Sequence, residues 1–200
     1  MDILGQTARI EMHAPHIPRP VVEPDAAKIS QAATMIRKAK FPLIYVGSGA
    51  VHAKEEIARL ARLIQAPVCS FRGGRGIVGD DTPYGFNCVA GFKYYPKTDL
   101  MIGIGTRLEL PAFRWQEGIA NHNMIRIDID PTQSVRLRGD IGIVADSRLA
   151  VEALLQEIAG NFTQPPSREQ EFLELKAASW HEIQQVQPQM TYLNIMREVL

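Results

Sequence analysis

Short apolar runs alternate along this chain with longer stretches in which apolar residues recur three and four positions apart. Leu43 to Val46, 66–71, 99–105, 124–130 and 141–145 are compact runs rich in Val, Ile and Leu. Runs of this kind suit strands covered on both faces. Between them, Ile29, Ala33 and Ile36 share one side of 26–40, with Asp25 as N-cap and Pro42 as stop. Ile57, Leu60, Ala61 and Ile64 form an apolar face of 53–65 opposite Lys54, Glu55, Arg59 and Arg62. Asp146 caps a helix over 149–159 whose stripe is Leu149, Ala153, Leu154 and Ile158. A helix over 168–185 carries Phe172, Leu175 and Ala178, and Tyr192, Ile195, Met196 and Val199 begin another after Pro188.

Strand and helix alternate from the first run to the helix at 149–159, which predicts an α/β fold. Right-handed crossovers make a Rossmann-like, doubly wound parallel sheet with helices on both faces the economical topology. Five strands are legible. Pro15, Pro18, Pro20 and Pro24 mark 1–23 as an extended linker from a missing N-terminal domain. Residues 24–160 form the Rossmann-like domain, and 161–200, opening on Asn161 to Ser167, reads as a linker and helices leading into a missing C-terminal domain.

Composition narrows the function classes. The 200 residues are 46% apolar, enough for a core of ordinary size. The 22 basic and 22 acidic side chains cancel, so no charge excess points to nucleic acid or an anionic membrane. No apolar run approaches the ~20 residues of a membrane span. Cys69 and Cys88 lack CxxC or Cys/His company and read as reduced thiols of a cytoplasmic protein. His13 and His16, in the proline strap, read as exposed polar residues.

A ligand of an open parallel sheet belongs at the carboxyl ends of the strands, where strand order reverses. The residues placed there are Gly47, Ser48 and Gly49 after the first strand, Gly105, Thr106 and Arg107 after the third, Asp128 and Asp130 on the fourth, and Asp146 after the fifth. Glycines for close backbone approach, an arginine for a diphosphate and a carboxylate for a ribose hydroxyl make a dinucleotide site. The same residues also serve an empty crevice as turn formers and helix caps. His52 has no spaced partner for base catalysis and reads as a cap; Phe113 and Trp115 read as packing residues; Asp80 and Asp81, beside Thr82-Pro83, read as a capped turn.

Several of these stretches together resemble the central domain of thiamine diphosphate-dependent enzymes. They are Ala39 to Ala50, Glu56 to Ala61 with Gln65 to Val68, Gly74-Arg75-Gly76, Asp99 to Arg107 and Ile127 to Pro131. The resemblance, to acetolactate synthases and 2-oxo acid decarboxylases, covers about Val21 to Ala159. It implies a sixth strand, hence a sheet of five to six, and a non-catalytic scaffold. In the parent, the missing pyrimidine- and diphosphate-binding domains would hold thiamine diphosphate and magnesium, and the parent would be a homo-oligomer. Gly-Asp-Gly, the family's magnesium and diphosphate motif, does not occur here; the nearest strings are Gly79-Asp80-Asp81 and Gly139-Asp140-Ile141.

Some relatives hold FAD or ADP in the central domain and others leave it empty. Gly105-Thr106-Arg107 resembles the flavin-binding turn of the synthases, with Asp128 and Asp146 at strand-end positions. Cys88-Val89-Ala90-Gly91 stands where many of them carry Gly-Met-His-Gly, and Pro111 stands where a second arginine is expected. The alternative reading is a free-standing NAD- or FAD-binding protein or a regulatory module.

Overall fold

Pro42–Val46 (β1) is buried at every position, as a strand covered on both faces must be. The computed structural model describes residues 7, 9, 21–115, 123–137, 139–186 and 195–196. His13, His16, nearly all of the proline strap, and most of the stretch from Tyr192 to Leu200 lie outside the described residues. Ala26–Lys38 (α1) starts where the Asp25 carboxylate accepts from the Ala27 and Lys28 N–H groups, and it buries Ile29, Ala32, Ala33 and Ile36. The turn from α1 into β1 is held by Asp99, whose carboxylate accepts from the Lys40 N–H at 2.6 Å and the Phe41 N–H at 2.9 Å.

Beyond β1, a 3₁₀ turn at Ser48–Ala53 leads into Lys54–Ile64 (α2). Then come Val68–Ser70 (β2), Gly85–Phe86 (β3), Cys88–Tyr94 (α3), Leu100–Ile104 (β4) and Glu109–Phe113 (α4). Asn123–Asp128 (β5), Thr132–Arg136 (α5), Ile141–Val144 (β6), Ser147–Ala159 (α6) and Glu169–Gln184 (α7) complete the order. The sheet has six strands in the order β3-β2-β1-β4-β5-β6, and every pair is parallel. Ile44 of β1 sits between Val68 and Ile102, so strand order reverses between β1 and β4. One helical layer is α1, α2 and α6 packed together; α3 and α7 pack on each other against the β2–β3 half.

The expected α/β class, parallel pairing and helices on both faces are what the structure has, and the sixth strand is β3. Two residues cannot display a period of two, so β3 leaves no pattern of its own. Two short helices also escape periodicity. Pro131 ends β5 but adopts φ −62°, and α5 starts from it with the Asp130 carboxylate accepting the Thr132 N–H at 2.9 Å. Pro111 lies in the first turn of α4, where a missing N–H costs no helical bond.

The packed core runs past the boundary expected at residue 160. Phe172 of α7 is fully buried among the rings of Tyr84, Phe86 and Tyr94. Arg168 lies over Phe41 and Tyr94 and donates to the Tyr94 hydroxyl at 2.7 Å. The proline-bearing segment before α7 is pinned to the end of α2: Gln164 donates to the Arg62 carbonyl at 3.1 Å, and Gln65 accepts from the Arg168 N–H at 2.9 Å. Composition marked that segment as a linker because its prolines preclude a helix, but extended backbone can still be fastened by side chains.

Candidate functional site

At the carboxyl edge of the sheet the turns after β1 and β4 lie against each other. The Gly47 N–H donates to the Ile104 carbonyl at 3.2 Å, and the Gly49 N–H to the Gly105 carbonyl at 3.1 Å. A Cβ on Gly47 would meet the Gly105 oxygen at 2.4 Å, and one on Gly49 would meet the Gly105 Cα at 2.8 Å. Gly105 adopts φ +55°, a left-handed conformation that suits a residue without a Cβ. The glycines are therefore required by the neighbouring turn, and the Gly49 N–H is already engaged there. The chain continues as a 3₁₀ turn, not as the first turn of an α-helix.

Beside these paired turns lies a cavity of about 470 Å³. Gly47, Ser48, Gly49, Gly105, Thr106, Arg107, Asp128 and Asp130 all line it. Asp146 is not among its lining residues; its carboxylate accepts from the Arg148 and Leu149 N–H groups and caps α6. Tertiary structure adds Tyr45 from β1, Phe71 and Arg72 from the loop after β2, and Gln133 from α5. The 72–76 loop is less free than its glycines suggest: Arg72–Gly74 is a 3₁₀ turn, and a Cβ on Gly74 would strike the Val46 carbonyl at 2.4 Å.

Two non-glycine residues on the rim occupy left-handed backbone, Arg72 at φ 49° and Leu108 at φ 54°. Each such residue costs about 1 kcal/mol or more, and such strain concentrates where a ligand is held. Leu108 is kept there by its buried side chain and by its N–H, which donates to Thr106 Oγ1 at 3.2 Å. The Arg72 guanidinium stacks over the Phe71 ring at 4.9 Å.

Charge at the mouth is mixed. Arg107 is exposed and meets the Glu109 carboxylate only at 3.9 Å, leaving its fork open to an anion. At the end of β5, Asp128 Oδ1 accepts from the Asp130 N–H at 3.0 Å. Gln133 and Thr132 donate to the Asp130 carboxylate and hold its pKa below the usual range, with Arg107 adding to the effect. Beneath this rim the Arg126 side chain is 2% exposed. Its guanidinium donates to the Thr106 carbonyl at 2.9 Å, the Leu137 carbonyl at 2.8 Å and the Gln133 carbonyl, tying α5 to the β4 turn. A lone cation in the apolar run 124–127 was the sequence signal for it. The Tyr45 hydroxyl is buried with no hydrogen-bond partner of good geometry, and burial raises its pKa well above the ordinary value.

The lining offers donors from the guanidinium groups of Arg72 and Arg107 and the hydroxyls of Ser48 and Thr106, and acceptors from the Asp128 and Asp130 carboxylates. The lining residues include no histidine or cysteine to activate Ser48. Among the described residues no cluster of three His, Cys, Asp or Glu side chains is placed to hold a metal, and no helix is long and apolar enough to cross a membrane. His52 is exposed on the 3₁₀ turn after β1. Trp115 packs edge-on to Tyr45, Phe92 and Tyr95, whereas Phe113 is exposed. Asp80 pairs with Arg75 at 3.5 Å on the turn before β3.

Comparison with known proteins agrees with this architecture. The family described as thiamine pyrophosphate enzyme, central domain, matches residues 29–154. A probable 2-ketoarginine decarboxylase of Pseudomonas aeruginosa is 31% identical over 144 residues, 66% of this chain and 24% of that protein. The acetolactate synthase large subunit of Porphyra purpurea is 30% identical over 160 residues, 75% of this chain and 27% of that protein. This chain thus spans about a quarter of the length of the relatives it matches. The crystal structure of benzoylformate decarboxylase from Polynucleobacter necessarius superposes on 80% of this chain and 32% of its own, with a TM-score of 0.60 at 20% identity, a likeness of fold. With the match covering the sheet from α1 into α6, the chain belongs to the thiamine pyrophosphate enzyme central-domain family.

Proposed function

We propose that this chain is the non-catalytic central domain of a longer, cytoplasmic, acetolactate synthase-like or 2-oxo acid decarboxylase enzyme. The parent forms or breaks a carbon–carbon bond at a 2-oxo acid, with thiamine diphosphate and magnesium held by its pyrimidine- and diphosphate-binding domains. This domain serves as scaffold within a homo-oligomer. Its cleft takes the diphosphate of FAD or ADP. The observation that carries the nucleotide reading is the cavity itself, whose lining brings Arg107, Arg72 and Asp128 together with the paired glycine turns. A nucleotide supplies a rigid bridge there. Arg107 and Arg72 would hold its phosphates, and Asp128 would accept from a ribose hydroxyl.

Calorimetric titration of the purified chain with FAD, ADP, and thiamine diphosphate plus magnesium tests this. FAD or ADP binds, and thiamine diphosphate with magnesium does not. Tight binding of the latter by this chain alone overturns the assigned role. Arg107→Ala weakens nucleotide binding about tenfold or more by removing a charge-assisted contact. An unchanged affinity removes Arg107 from the site.

A further inference from the structure

The only cysteines in the sequence are brought near each other where β2 pairs with β3. Cys69 is paired in register with Tyr45 on one side and Phe86 on the other, and Cys88 follows Phe86 by two residues at the start of α3. Each thiol reaches the other's strand: Cys69 Sγ lies 3.7 Å from the Asn87 carbonyl, and Cys88 Sγ lies 3.5 Å from the Ser70 carbonyl. Gly91 keeps the space open, since a Cβ there would meet Cys69 Sγ at 2.5 Å. Both are free thiols, Cys69 buried and Cys88 partly exposed.

We propose that Cys69 and Cys88 form a redox-active dithiol, closed to an intramolecular disulfide by a low-molecular-weight disulfide oxidant. The roles follow from the environment. Cys88 is partly exposed, and the neighbouring Cys69 thiol lowers its pKa, with Arg75 adding to the effect, while burial raises that of Cys69. Cys88 is the reachable nucleophile, and Cys69 is the resolving thiol. The Cys88 thiolate attacks one sulfur of the oxidant, forming a mixed disulfide and expelling one thiolate. That thiolate takes the Cys69 proton, and the Cys69 thiolate then attacks Cys88 Sγ and expels the second thiolate, which takes from solvent the proton that Cys88 released on ionising. Two protein thiols become one disulfide, and the oxidant disulfide becomes two thiols. The new bond ties the start of α3 to β2 and closes the loop 69–88, which carries Phe71, Arg72 and Gly73 of the cleft wall.

Incubation of the chain with excess glutathione disulfide, read by intact mass and thiol titration, tests the pair. The expected product has lost two hydrogens, carries no glutathione and has no titratable thiol, and dithiothreitol restores both. In Cys69→Ser, the Cys88 adduct accumulates instead of resolving. A persistent glutathione adduct on Cys88 of the unaltered chain with Cys69 still titratable, or two thiols that remain unmodified, overturns the proposal whether or not the variant folds. Hydrogen exchange over 71–84 slows in the oxidised form; unchanged exchange overturns the bracing of the loop.

Discussion

Arg126 shows how one residue decides the form of a cleft it never enters. Loss of water around its guanidinium lowers its pKa, while Asp128 opposes that shift, and backbone carbonyls accept its hydrogen bonds in place of solvent. Truncation to Ala would strand the Thr106, Gln133 and Leu137 carbonyls that now accept from it. Arg126→Ala is expected to lose about 3 kcal/mol in urea unfolding, with Arg126→Lys recovering only part, because an ammonium cannot span three acceptors set on separate segments. Equal stability of all three proteins would show that α5 and the β4 turn hold without the arginine. The glycines tell a related story. Gly47, Gly49 and Gly105 were legible as turn residues, but the partner that requires them, each other's backbone, appears only when β1 and β4 pair.

Helix α7 is the element whose place the sequence concealed. Its apolar side chains are few, and the segment before it carries Pro165 and Pro166. Phe172 nonetheless inserts into a ring cluster built from the β2–β3 half and α3, and Lys176 fastens the turn before β3 by donating to the Asp80 carbonyl at 2.7 Å. Ion pairs of Lys93 with Glu182 and Lys97 with Glu171 lie along the same contact but are partly exposed, so the ring carries most of the attachment. Phe172→Ala is expected to cost about 3–5 kcal/mol, the range for emptying a buried aromatic site. Limited proteolysis should then cut between 160 and 170 well before the sheet is lost. Cleavage no faster than in the unaltered chain would mean that α7 docks through its polar contacts.

Across the whole molecule, burial raises the pKa of Tyr45 and Tyr84, and it pushes Tyr94 up to about 12 although Arg168 opposes the shift. In the unfolded chain these phenols ionise near pH ~10. From there up to the folded pKa values the unfolded state binds fewer protons than the native state, so stability is complete below about pH 10 and falls as pH rises toward 12. Tyrosinate absorbance of the buried phenols should therefore appear together with unfolding; ionisation with the fold intact by circular dichroism would refute this. The sequence by itself determined the alternation of strand and helix, the parallel α/β class and most residues of the cleft edge, because period, caps and glycine turns are written in neighbouring positions. Tertiary structure alone decided the two-residue β3, the docking of α7, and the entry of Tyr45, Phe71, Arg72 and Gln133 into the cleft. It also brought Cys69 to Cys88, since each of these depends on which strands become neighbours, and contacts between distant segments leave no local period to read.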